Sequence, residues 1–289
     1  MKRIIILICL LVVNIGCTKN SQAIKADDNC KMIRKIWENR VRYYQFIDKK
    51  YLVTREGSMH YHIYELNHVS GQLKKIIEIK GIGFRVDFAI DGNNIYIVYQ
   101  TRDYPKIEQV IECRSLITRK ILWSQTMEQV KTINLSYGCL YLAKEKLIFL
   151  QMGLEEDKYD LVIFDKNQGN ILSKIKLNGY NYYVKPLILE DKLIIATTND
   201  DSTSWLTQID LAKLTIDNII ELTGIINGTY TEAEKVFWRD GIFYAGAIRP
   251  GEGRAILKVW DDFSRYERID CKIGIEAFCR RKYNYCVEN

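Results

Sequence analysis

The sequence predicts an all-β fold built of repeated four-stranded units, and three observations carry that reading. A short polar turn followed by an aromatic or aliphatic triplet returns about every 50 residues. A second strand-like segment follows each triplet at the same beat. Long helical periodicity is hard to find after residue 40, while β-branched and aromatic residues crowd between Gly, Asn, Asp and Ser. Branched and aromatic side chains fit a pleated, half-buried surface, and the small polar residues tolerate tight-turn geometry.

The triplets are Tyr51-Leu52-Val53, Ile95-Tyr96-Ile97, Leu147-Ile148-Phe149, Leu193-Ile194-Ile195 and Ile242-Phe243-Tyr244, with steps of 44, 52, 46 and 49 residues. The second register ends at Glu65, Cys113, Asp165, Asp210 and Asp261, with steps of 48, 52, 45 and 51. A turn then opens one more apolar-rich run in each unit: Leu73 to Ile79, Lys120 to Ser124, Ile171 to Leu177, Ile216 to Leu222 and Tyr266 to Ile269. Each unit thus holds about four strands, which is the content of a propeller blade. The runs Lys146 to Met152 and Pro186 to Ala196 are almost continuously apolar, as expected of strands covered on both faces. The expectation is therefore a β-propeller of five full four-stranded blades. The alternative is a β-sandwich or barrel.

Segments such as Cys113-Arg114-Ser115-Leu116-Ile117-Thr118-Arg119-Lys120-Ile121-Leu122-Trp123 and Phe164-Asp165-Lys166-Asn167-Gln168-Gly169-Asn170-Ile171-Leu172 resemble the D-x-x-T-G-x-x-x-W unit of PQQ-type and related β-propeller repeats. The resemblance spans most of residues 41 to 270. The Gly is kept at Gly71 and Gly169 and lost in the other three units. Quinone-dependent dehydrogenases of that superfamily carry adjacent cysteines over their cofactor, and no Cys-Cys pair exists here. The resemblance therefore implies a fold and no cofactor.

The N-terminus reads as an export signal. Met1-Lys2-Arg3 precedes an apolar stretch from Ile4 to Val13, too short to span a bilayer and of the length of a secretory signal. Asn14-Ile15-Gly16-Cys17 resembles a bacterial lipobox, with Asn14 where that pattern prefers an apolar residue. The expected organisation is a lipoprotein signal peptide over 1–16, a lipidated N-terminus at Cys17 with a flexible tether over 17–33, and a propeller domain over 34–289. An ordinary signal peptide cleaved elsewhere is the alternative. Location follows: an exported lipoprotein of the bacterial cell envelope, held to the membrane through Cys17.

The chain has 289 residues, 42 Lys plus Arg against 36 Asp plus Glu, and 47% hydrophobic residues. Removing Lys2 and Arg3 leaves 40 against 36, a weak basic excess of +4 spread along the chain. Nucleic-acid binding would need a concentrated basic stripe, and none is present. Eight cysteines include Cys9 in the signal and Cys17. Of the remaining six, Cys30, Cys271, Cys279 and Cys286 are disulfide candidates in an oxidising envelope, while Cys113 and Cys139 read as buried unpaired thiols in strands. A bridge from Cys30 to the C-terminal group and a local Cys279–Cys286 clasp are both open.

Phe278-Cys279-Arg280-Arg281-Lys282-Tyr283-Asn284-Tyr285 repeats the form of the stretch from Phe46 to Val53. It reads as a partial sixth blade, or as a closing blade shared between the two termini, which would remove an open sheet edge.

Catalytic signatures are missing: no nucleophile elbow, zinc-protease motif, Walker loop or dinucleotide fingerprint occurs. His60, His62 and His68 share one strand-turn segment, which makes a poor metal set. Glu155-Glu156-Asp157, Asp200-Asp201 and Asp261-Asp262 fall at turns. Two classes of function remain. One is a binding or scaffold module for an envelope protein, peptide or glycan, with Tyr180, Tyr182 and Tyr183 as candidate binding aromatics. The other is a glycosidase-like envelope enzyme with carboxylates around a central pore.

Overall fold

The computed structural model describes residues 43–47, 50–56, 60–67, 72–80, 84–101, 108–127, 139–152, 159–179, 185–199, 201, 203–224, 226, 236–249 and 253–271. They form five four-stranded antiparallel sheets, each a meander in which consecutive strands are neighbours. The first contains β1 (Tyr43–Ile47), β2 (Tyr51–Glu56), β3 (His60–Leu66) and β4 (Leu73–Lys80). The second contains β5 (Phe84–Asp91), β6 (Asn94–Gln100), β7 (Gln109–Ser115) and β8 (Ile121–Met127). The third contains β9 (Leu140–Ala143), β10 (Lys146–Met152), β11 (Tyr159–Asp165) and β12 (Ile171–Lys176). The fourth contains β13 (Leu187–Leu189), β14 (Lys192–Thr198), β15 (Thr203–Asp210) and β16 (Thr215–Thr223). The fifth contains β17 (Phe237–Arg239), β18 (Ile242–Arg249), β19 (Gly253–Trp260) and β20 (Tyr266–Cys271).

All five triplets fall in the second strand of a sheet, and the second register falls in the third strand except at Asp261, one residue beyond the end of β19. The apolar run from Pro186 to Ala196 is a hairpin and not one strand: it turns at Glu190-Asp191, where β13 meets β14 through the Leu189–Lys192 pair. The chain divides into two compact units, and among the described residues the first holds β1–β4 and the second β5–β20.

Turn chemistry explains the spacing. The hairpins joining the first two strands of the second to fifth sheets place Gly92, Lys144, Glu190 and Asp240 at positive φ, the geometry that two-residue hairpin loops require. The turn between third and fourth strands is built the same way three times. The N–H groups of Arg119, Gly169 and Leu214 each donate at 2.8 Å to the carbonyl four residues back, on Ser115, Asp165 and Asp210. The side chains of those three residues accept further turn N–H groups: Ser115 Oγ from Thr118, Asp165 Oδ1 from Asn167 and Gln168, and Asp210 Oδ1 from Ala212 and Lys213. The residue equivalent to Asp165 in the second sheet is thus Ser115, two positions beyond Cys113. In the fifth sheet it is Trp260, whose N–H bonds the Arg265 carbonyl as that of Asp165 bonds Asn170.

Within the second unit, neighbouring sheets dock face to face. One apolar core joins the second, third and fourth sheets through residues such as Val98, Ile111, Phe149, Leu161, Ile163 and Ile195. Another joins the fourth and fifth through Ile194, Leu206, Phe243 and Leu257. Trp123 of β8 crosses to the third sheet, where its indole N–H donates to the Lys166 carbonyl at 3.0 Å. Its ring covers Gly169, where a Cβ would lie 2.5 Å from the indole. The first strands of the same two sheets are tied by Asp87, whose Oδ2 accepts the Cys139 and Leu140 N–H groups at 2.9 and 3.0 Å. At the tight-turn end, Lys166 pairs with Asp91 and Lys144 with Asp191, both at 2.7 Å.

Candidate functional site

A meander has two unlike ends. The first-to-second and third-to-fourth turns lie at one end; the second-to-third connection and the link to the next sheet leave from the other. In the second unit the tight-turn end carries short polar turns, such as Gly92-Asn93, Lys144-Glu145 and Lys166 to Asn170, laced by the ion pairs just described. The opposite end gives rise to the longer connections: 101–108 between β6 and β7, 128–139 between β8 and β9, 177–186 between β12 and β13, and 224–236 between β16 and β17.

Tyr180, Tyr182 and Tyr183 belong to the β12–β13 connection and lie outside the described residues. Its point of departure is described. Gly179 has φ +69 and packs against the Thr198 carbonyl and the Trp205 ring, 2.9 Å from its ideal Cβ, so no larger residue fits there. The Gly179 carbonyl accepts the Tyr159 N–H at 3.1 Å. Beside it, Ser204 Oγ lies 2.9 Å from Thr198 Oγ1 and 2.5 Å from the Gly224 carbonyl, and accepts the Ile226 N–H at 3.1 Å. Two of the long connections therefore start from a rigid, hydrogen-bonded base. At the root of the β6–β7 connection Gln109, paired across the strands with Gln100, is buried with neither end of its amide bonded. That leaves both N–H donors of the amide and its oxygen acceptor without a partner.

Parity adds residues that the sequence reading missed. Tyr104, Tyr137 and Tyr230 fall in the 101–108, 128–139 and 224–236 connections and, like Tyr180, Tyr182 and Tyr183, lie outside the described residues. The signal was available in principle: each follows an even-numbered strand of its repeat. Trp205 is half-buried beneath Gly179, and Trp238 on β17 is 46% exposed.

Other expected positions divide in two. Cys17, Cys30, Cys279 and Cys286 lie outside the described residues, as does the partial sixth unit at 278–285. Cys271 ends β20. Cys113 and Cys139 are buried free thiols, as expected. Burial pushes the Cys113 thiol up to about 11, and burial with the Asp87 charge pushes Cys139 well above its ordinary value, so neither is a nucleophile at neutral pH.

The buried carboxylates among the described residues are both engaged. Asp87 holds two backbone N–H groups, and Glu112 accepts the Arg114 Nε–H at 2.5 Å and faces the Tyr99 hydroxyl at 3.5 Å. Asp201 and Asp262 cap their own turns by accepting the N–H groups of Thr203 and Ser264. Among the described residues no group of three His, Cys, Asp or Glu side chains could hold a metal ion, and no helix is long and apolar enough to cross a membrane.

The architecture has counterparts among solved structures. BamB from Moraxella catarrhalis superposes with a TM-score of 0.50 at 10% identity, covering 81% of this chain and 65% of that one. The likeness is one of fold, a β-propeller. TolB from Acinetobacter baumannii (TM-score 0.42, 13% identity, 82% of this chain and 55% of that one) and Sqt1 from Saccharomyces cerevisiae (0.40, 12%, 80% and 73%) superpose less well. This chain spans less than two thirds of the BamB and TolB chains. No protein-family model and no curated protein matches the sequence.

Proposed function

We propose that this chain is a cell-envelope β-propeller that binds a protein, peptide or glycan through the end of its sheets bearing the long connections. The observation that carries this reading is the contrast between the two ends of the second unit. One end is closed by short polar turns that satisfy their own hydrogen bonds. The other sends out longer segments that hold Tyr104, Tyr137, Tyr180, Tyr182, Tyr183 and Tyr230. Tyrosine presents a large amphipathic contact area at low conformational cost, and aromatic anchors carry most of the energy in protein recognition. The reading includes export by residues 1–16 and a lipid at Cys17, which would hold the domain on a tether at the membrane. The bonded state of Asp87 and Glu112 gives the glycosidase alternative no free buried carboxylate among the described residues.

The test is partner capture by crosslinking in the native envelope, with a glycan array beside it, followed by alanine substitution of Tyr180, Tyr182 and Tyr183. An anchoring tyrosine costs about 2 kcal/mol or more of binding, roughly 30-fold in Kd. Undiminished binding in every variant would remove this surface from contention.

A further inference from the structure

Among the described residues, the last strand of each sheet, β4, β8, β12, β16 or β20, pairs on one side only and is an edge. An edge strand shows a row of open N–H and C=O groups, and folded proteins blunt it with charge or proline. Four of these five last strands are blunted. β4 carries three lysines and one glutamate, β12 two lysines, β16 one aspartate and one glutamate, and β20 two acids and one arginine. β8, Ile-Leu-Trp-Ser-Gln-Thr-Met, has no charge and no proline. It also leaves Ile121 and Leu122 exposed at 51% and 52%, with Ser124 and Thr126 exposed on the same face as Leu122.

We propose that β8 is the edge through which a second copy of this chain adds, antiparallel, about a two-fold axis at Ser124. Two-fold pairing sets a strand against its own reverse, so a strand with net charge meets the same charge in its copy. That disfavours the other four last strands, whose charges sum to +2, +2, −2 and −1. β8 brings no like charges together. With Ser124 at the centre all seven residues are paired, and Leu122 lies opposite Thr126 and Ile121 opposite Met127 of the other copy. The inward edge of β8 stays hydrogen-bonded to β7 from Gln109–Met127 to Arg114–Ile121, so the second copy extends a formed sheet. One strand pair is a small interface, which sets the dissociation constant in the micromolar range or weaker, on the order of 1–100 µM.

The test uses the full chain. Molar mass by sedimentation equilibrium from about 1 to 200 µM is expected to rise from monomer towards dimer. Leu122→Lys should weaken dimerisation at least tenfold while leaving the far-UV spectrum and the unfolding midpoint in place. Ser124→Cys supplies the geometric arm: directly opposed residues have Cα atoms about 4.5–5.5 Å apart, within disulfide reach. Leu122→Cys is four residues out of register with its copy, about 13 Å away. Mild oxidation should therefore yield covalent dimer from Ser124→Cys above the background of the parent chain, and none above it from Leu122→Cys. A monomer across the whole concentration range, or equal crosslinking of the two variants, overturns the proposal. Ser124→Cys joining only other proteins in an envelope extract also overturns it, and assigns the edge to a foreign strand.

Discussion

Gly169, Arg119 and Leu214 occupy one structural position with three side chains. All three have positive φ, at 76°, 62° and 62°, and all three close the same five-residue turn. Left-handed backbone costs a non-glycine residue about 1–2 kcal/mol, which the second and fourth sheets tolerate. Only Gly169 also lies under an indole. Gly169→Ala combines backbone strain with a Cβ driven into Trp123 and should destabilise the domain by about 3 kcal/mol. Arg119→Gly relieves strain and loses some unfolded-state advantage, for a net gain of about 0.5 kcal/mol. Paired denaturation curves check both signs.

Two carboxylates give the acid side of stability a direction. Hydrogen bonds from the Lys75 and Lys80 ammonium groups hold Glu78 down at about 2. The Lys213 ammonium, with the N–H groups of Lys213 and Ala212, holds Asp210 at about 2. Both lie below the unfolded range of about 4, so the folded chain binds fewer protons there. The stability they add is complete above about pH 5 and is lost as pH falls through about 2. Glu78 is exposed and Asp210 half-buried at the surface beside an exposed Lys213, so the effect is modest and screened by salt. Carboxyl titration by NMR should place both midpoints below 3; midpoints near 4 would mean that the pairs do not persist in solution.

At the scale of elements, the join between the second and third sheets rests on Asp87, which is 52 residues from Cys139 in sequence. Its carboxylate satisfies the first two N–H groups entering β9, a strand of only four residues. Asp87→Ala would leave both donors buried without a partner, a loss of about 3 kcal/mol. Asp87→Asn keeps one acceptor oxygen and should lose less. The difference in unfolding free energy between the two variants reads out the anchor itself. Comparable losses would point to the charge and not to the acceptor geometry.

For the whole molecule, the sharpest expectation concerns attachment. The chain carrying Cys17→Ala should appear in the soluble envelope fraction, whereas the parent sediments with membranes and yields a lipid-modified N-terminal peptide by mass spectrometry. A parent chain that is soluble and unmodified would remove the anchor from the proposed function and leave the binding surface untouched.

The sequence by itself determined the second, third and fourth strands of each repeat and their order. Triplets, turns and third-strand endings lie where local physics puts them, because a two-residue hairpin needs left-handed residues and an Asp or Ser at a strand end captures its own turn N–H groups. Such bonds span few residues and leave their mark in a short window. The equivalence of Cys113 with Asp165 slipped by two residues for the same reason: Ser115 does the work of the Asp, and a serine is a weaker mark. Loss of Gly in three of the repeats looks like decay of the pattern, yet the left-handed turn persists at Arg119 and Leu214. Only tertiary structure decided the rest. That Trp123 needs a glycine beneath it, that Asp87 serves β9, and that β8 is an unblunted edge all depend on which faces and edges of distant strands come together. Those contacts join residues tens of positions apart, and no short stretch of sequence holds both partners.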